Sequence, residues 1–107
     1  MITLSPTGRW GGKATARPLP DAYDELAALD PALREALAEI WWVQSATEYR
    51  VAASFAVVHR SLVALDADAP LVALAERAID DEHRHAALCL DMAGRLAGRA
   101  VECPPAL

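Results

Sequence analysis

From Pro31 to Pro70 the chain runs without a glycine or a second proline, and from Leu71 to Ala93 it does so again. These two residues are the strongest punctuators of local structure, and their absence over such lengths leaves a helix nothing to stop it. Much of the 54% apolar content is alanine, the best helix former, which loses no side-chain freedom on folding. Strand-type alternation is nowhere sustained. The pattern predicts an all-α chain dominated by two long helices.

The punctuation between them sets the boundaries. Asp30 is a good N-cap and Pro31 suits a first helical turn, so a helix is expected from there to about Leu65. That is roughly 35 residues, or roughly 50 Å at 1.5 Å per residue. "DADAP" (66–70) reads as a turn, with Asp68 or Ala69 capping a second helix that runs to about Ala97. Gly98 then stands where a left-handed C-terminal glycine belongs. "DAYDELAAL" (21–29) predicts a short helix begun by Asp21. Residues 1–20, rich in Gly, Pro, Thr and Arg, read as a flexible arm. Residues 99–107 form a tail whose prolines forbid further helix. The expected organisation is an arm (1–20), a helical hairpin (21–98) and a tail (99–107).

Charge narrows the function classes. A net charge of −5, one lysine (Lys13) and scattered arginines leave no basic patch to neutralise phosphates, which argues against nucleic acid. The first twenty residues hold no apolar stretch of secretory type, and no apolar run is long enough to span a membrane. Cys89 and Cys103 are too few and too far apart for a disulfide framework. The expectation is a cytoplasmic protein with reduced thiols.

A lone hairpin cannot cover its own apolar stripes, because each helix leaves a face that needs another layer. The economical remedy is a second copy. Two hairpins related by a two-fold axis make a four-helix bundle, so a homo-oligomer built on a two-fold dimer is expected.

The stripes themselves are interrupted. On the first helix, steps of three and four link Leu33, Leu37, Ile40, Val51, Phe55, Val58, Leu62 and Leu65, and pass through Gln44 and Glu48 on the way. On the second they link Leu71, Leu74, Ala78, Glu82, His85, Leu88 or Cys89, Met92 and Leu96. If the turn lies near residue 67, Glu48 is about 19 residues below it, and Glu82 and His85 about 15 and 18. An antiparallel hairpin then brings the three side chains to one level inside the core, within roughly 6 Å.

A buried carboxylate without a partner costs several kcal/mol, and no inward-facing Arg or Lys is expected at that level. Doubling the set across a two-fold axis gives a ligand charge that two divalent cations cancel. Carboxylate and imidazole donors together suit iron, with manganese the alternative. Glu48, Glu82 and His85 are therefore the expected metal ligands. Asp81 either hydrogen-bonds a ligand imidazole from behind or is an exposed acid. Tyr49 either packs beside Glu48 or donates a hydrogen bond or electrons near the metals. His59 reads as a core or rim histidine, His83 as solvent-facing, and Cys89 as a buried thiol. Of Trp41 and Trp42, only one can face the hairpin core, leaving the other for a subunit contact.

"ATEYRVAASF" followed by "AIDDEHRHAALC" resembles one repeat of the ferritin-like diiron-carboxylate proteins. That repeat is a helix carrying one Glu, followed by a helix carrying Asp-Glu-x-x-His. The likeness spans about residues 35–97 and is strongest at Glu48, Asp81, Glu82 and His85. The family pattern normally occurs twice in a chain and here occurs once. This resembles the two-helix encapsulated ferritins, whose site is completed between subunits and whose partner is an enclosing shell. It equally fits the first half of a two-repeat protein. No targeting peptide of the encapsulated kind is recognisable in the tail.

The resemblance implies a dinuclear iron site that reacts with dioxygen or peroxide, as a ferroxidase or small diiron oxidase. Glu48, Glu82 and His85 would carry the chemistry, with Glu82 bridging. The competing expectation is a non-catalytic helical interaction module, in which a structural metal or a polar layer clamps the dimer.

Overall fold

The computed structural model describes residues 24–105. The expected arm (1–20), the expected helix start at Asp21 and the last two residues of the tail lie outside that range. Among the described residues there is no strand. A short 3₁₀ turn, Asp24–Ala28, precedes two long helices, α1 (Pro31–Ala64) and α2 (Ala69–Ala97). The described part of the stretch expected as a short helix is thus 3₁₀ over Asp24–Ala28, packed against α2.

The helix ends follow local chemistry. The Asp30 carboxylate accepts hydrogen bonds from the amides of Ala32 (3.1 Å) and Leu33 (3.4 Å), and Pro31 fills a position where no amide is missed. At the other end of α1 the amides of Leu65 and Ala67 close onto the carbonyls of Ser61 and Leu62. Asp66 then adopts a left-handed φ of 53°, a conformation a short polar residue tolerates, and the chain reverses. Asp68 caps α2 through its backbone alone, with no side-chain hydrogen bond. Gly98 ends α2 at φ 73°, its amide bonded to the Gly94 carbonyl at 2.9 Å. A side chain at Gly94 would meet the Arg99 carbonyl at 3.1 Å, so the start of the tail would have to give by a few tenths of an ångström to admit one. The Arg34 guanidinium of α1 reaches across to the Leu96 carbonyl (3.3 Å), a cation placed on the negative end of α2.

The seam between the helices is made of small residues. On α1 the buried positions are Ala38, Ser45 and Ala52; facing them on α2 are Ala75, Ala86, Cys89, Ala93 and Leu96. Ser45 is wholly buried and satisfies its hydroxyl on the Trp42 carbonyl at 2.6 Å. Small side chains let helices approach closely, so the seam closes without the large residues of the apolar stripes. Those residues stay outside it. Leu33, Ile40 (61% exposed), Val58, Leu71 and Leu74 (60%) are exposed, while Leu37, Val51, Phe55 and Leu62 are half-buried. The stripe is therefore a lateral face of the hairpin and not its core. Helical geometry makes this consistent. Gln44 precedes Ser45 by one residue, about 100° around the helix, so a stripe through Gln44 stands at roughly a right angle to the seam.

The other lateral side is covered by the chain's own tail. Residues 99–105 run back along α1, bridging Arg99 to Glu35 (3.9 Å) and placing the Glu102 carbonyl 2.6 Å from the Trp42 indole nitrogen. Between tail and helix remains a cleft of about 550 Å³ lined by Glu35, Glu39, Trp42 and Val101 among others. Trp42 is thus held by the tail, while Trp41 is exposed.

Candidate metal centre

The α1 and α2 registers bring Glu48, Glu82 and His85 together, with one ligand atom from each lying within 4.8 Å of the others. Glu82 and His85 sit one turn apart on α2, and the turn geometry lets His85 Nδ1 reach Glu82 Oε2 at 3.3 Å. Glu48 comes from α1, its Oε2 4.0 Å from the same nitrogen. Its other oxygen, Oε1, accepts a hydrogen bond from the Gln44 amide at 3.2 Å.

The cluster lies at the open lateral face, where the sequence reading expected the inside of a core. The side chains of Glu48 and Glu82 are 20% and 16% exposed, and that of His85 is 50% exposed. The cause is the small-residue seam, which leaves these stripe positions at its edge.

The two carboxyls shift in opposite directions. A hydrogen bond from Glu82, aided by the Gln44 amide and His85, holds Glu48 below the ordinary carboxylate value despite its partial burial. The same hydrogen bond and burial push Glu82 up, against the pull of His85. Among the described residues no lysine or arginine acts on either carboxyl. Cys89, one turn beyond His85, is buried, and burial together with the nearby Glu48 and Glu82 charges raises its thiol to about 11. It is a neutral, unreactive group at neutral pH.

The remaining expected residues are placed as follows. Asp81 stands half-buried beside the cluster, while the His85 ring nitrogen that faces inward is turned to Glu82 and Glu48. Tyr49 points to the other side of α1, with burial and a hydrogen bond with Cys103 pushing its hydroxyl well up. His59 is half-buried. His83 departs from its expected solvent-facing position. It is half-buried, its Nδ1 is shielded from solvent, and its ring lies 6.3 Å from that of Tyr49.

Two features escaped the sequence reading. Arg84 is buried, although no inward-facing arginine was expected at this level. It follows Glu82 by two residues, about 200° around the helix, so it is buried on the side away from the carboxylates. The docking of the tail on Trp42 and Tyr49 was also missed, because an extended segment advertises its contacts by no periodicity. Comparison with family models, curated proteins and solved structures finds no match for this chain.

Proposed function

We propose that the hairpin is a metal-binding protein of the diiron-carboxylate kind, in which two copies pair through their bare apolar faces and close a dinuclear site between them. The observation that carries this reading is the Glu48, Glu82 and His85 cluster within a face of exposed Leu, Ile and Val, with no lysine or arginine among the described residues acting on its carboxyls. A right angle between seam and apolar face is what each helix of a square four-helix bundle requires, one side for each neighbour. Two copies supply four carboxylates and two imidazoles, and iron is the metal these donors suit best, with manganese the alternative.

The donor set fits such a site. His85 offers a ring nitrogen, and Glu48 and Glu82 each offer a carboxyl oxygen. Glu82, reached by both Glu48 and His85, is positioned to bridge. A pair of iron(II) ions, when bound, supplies two electrons to dioxygen or peroxide, which is the ferroxidase or oxidase chemistry proposed. The apolar residues around the cluster, once covered by a second copy, exclude water from it. Enclosure within a shell, or a covalently linked second repeat, would serve the same end.

One observation favours a second reading. His85 already contacts both carboxyls, so the cluster is a closed polar layer without any ion. The hairpin would then be an interaction module, clamped by that layer or by a structural metal. Anaerobic loading with iron(II), followed by air, separates the two. Uptake of two irons per dimer, with oxygen consumption and a new near-ultraviolet band, is the outcome expected for the metal centre. A protein that takes up no iron, or binds it and stays inert in air, removes the oxidase reading.

A further inference from the structure

Gln44 occupies a position on the apolar stripe where steps of three and four call for a large aliphatic residue, with Ile40 before it and Val51 after it. It has no apolar packing role there, since it is polar and exposed. Its amide nitrogen instead donates to Glu48 Oε1, 3.2 Å away and one turn along the helix. The two oxygens of Glu48 are thereby distinguished. Oε1 is held by the amide, and Oε2 is the one that faces His85 Nδ1.

The chemical type of the holder matters. An arginine or lysine four residues before a glutamate would orient it equally well, and such pairs are common on helices. It would also place a positive charge a few ångströms from any cation bound at the cluster, where the two would repel. An amide orients the carboxylate and leaves its negative charge intact.

We propose that Gln44 is a positioning residue that holds Glu48 so that Oε2 alone is presented to a bound cation, making Glu48 a one-oxygen ligand. The proposal rests on the metal-binding reading above. Outer partners of this sort fix ligand orientation, and their loss typically lowers metal affinity about 10- to 100-fold.

Cobalt(II) is a suitable probe, because its visible bands report coordination number independently of any turnover. The full chain is titrated with cobalt(II) as wild type, Gln44→Met, Gln44→Lys and Glu48→Gln. Methionine keeps the length of the side chain and removes the donor. The Gln44→Met protein is expected to bind about 10- to 100-fold more weakly. Its visible bands should also weaken, as a freed Glu48 closes on the ion with both oxygens. Its melting temperature in chelator should match wild type. Gln44→Lys, which keeps a donor but adds charge, is expected to retain the wild-type bands with weaker binding. Wild-type bands in the Gln44→Met protein overturn the proposal. If the Glu48→Gln protein binds cobalt(II) as tightly as wild type, the metal-binding reading itself fails. That result is distinct from a wild type that depends on Glu48 but not on Gln44.

Discussion

The two lateral sides of the hairpin are built from the same two helices and meet opposite fates. On one side the tail lies along α1, and the Trp42 indole is hydrogen-bonded to the Glu102 carbonyl. On the other, Leu33, Ile40, Val58, Leu71 and Leu74 are all about half or more exposed. Burial of apolar area drives folding on both sides equally. The difference is supply. The chain has an end to lay over one side, and the described residues include nothing to lay over the other. The uncovered side is also the one that carries the Glu48, Glu82 and His85 cluster. That coincidence of the cluster with large exposed aliphatics is what supports the proposed pairing of two copies through this face.

The strongest way to break this comparison is to spoil the bare side. Ile40→Glu puts a charge in the middle of the proposed contact and is expected to weaken dimerisation by at least about 2 kcal/mol, or roughly 30-fold. Ala53→Glu, an exposed position on the tail side, should leave it unchanged. Sedimentation equilibrium of the two variants reads the difference. A wild type that stays monomeric at micromolar concentration would dissolve the comparison altogether.

The seam is indifferent to both sides, and overfilling it should harm the hairpin itself. Ala52 is 1% exposed between the helices. Ala52→Leu is expected to cost about 1–3 kcal/mol in denaturant unfolding, because a packed interior has no room for three more carbons. Ile40→Ala, by contrast, should cost the isolated hairpin little. If the two substitutions proved equally damaging to a monomeric form, the large stripe residues and not the alanines would be the true seam.

A smaller effect sharpens the other half of the contrast. Trp42→Phe removes the donor to the Glu102 carbonyl while keeping an aromatic ring, and is expected to cost about 0.5–1.5 kcal/mol. The tail should become more open to proteolysis near Val101, with dimerisation and metal uptake unaffected. Loss of metal binding in this variant would mean that the two sides communicate.

What was legible in the sequence follows from which features have a period. Helix spans, the Asp30 and Gly98 ends and the common level of Glu48, Glu82 and His85 could be read because 3.6 residues per turn converts spacing into position. The helix-to-helix seam could not. Alanine and serine are favoured in helices everywhere, so Ala38, Ser45 and Ala52 carry no signal that sets them apart from surface alanines. The large stripe residues drew the eye to a face that the chain itself leaves open. The imidazole of His83 suggests a solvent-facing position, and only its surroundings decide otherwise. Like charges placed together were expected to raise the pKa of some of the carboxyls, and Glu82 is the one raised, while hydrogen bonds from Glu82 and Gln44 lower Glu48.

That asymmetry gives the finest test of the bare side. Glu82 has its pKa raised by the fold, so the folded chain holds its proton more tightly than the unfolded chain does. The stability this contributes is complete below the ordinary carboxylate value of 4.5 and is lost as pH rises through the raised one. Glu48, whose pKa is lowered, contributes the opposite way. Its stabilisation is present above 4.5 and is lost as pH falls through the lowered value. In chelator the protein should therefore lose stability toward neutral pH through Glu82 and toward strong acid through Glu48. Glu82→Gln keeps an N–H donor for Glu48 at every pH, so it is expected to melt higher than wild type at pH 7 and alike in mild acid. In excess manganese(II) the order at pH 7 should reverse, because the variant has lost a ligand and the stabilisation that bound metal confers by mass action. A Glu82→Gln protein less stable than wild type in chelator at neutral pH would rule out the raised pKa of Glu82. A variant that stayed more stable in both conditions would remove Glu82 from the metal centre and leave the polar layer as the reason these residues interrupt an apolar face.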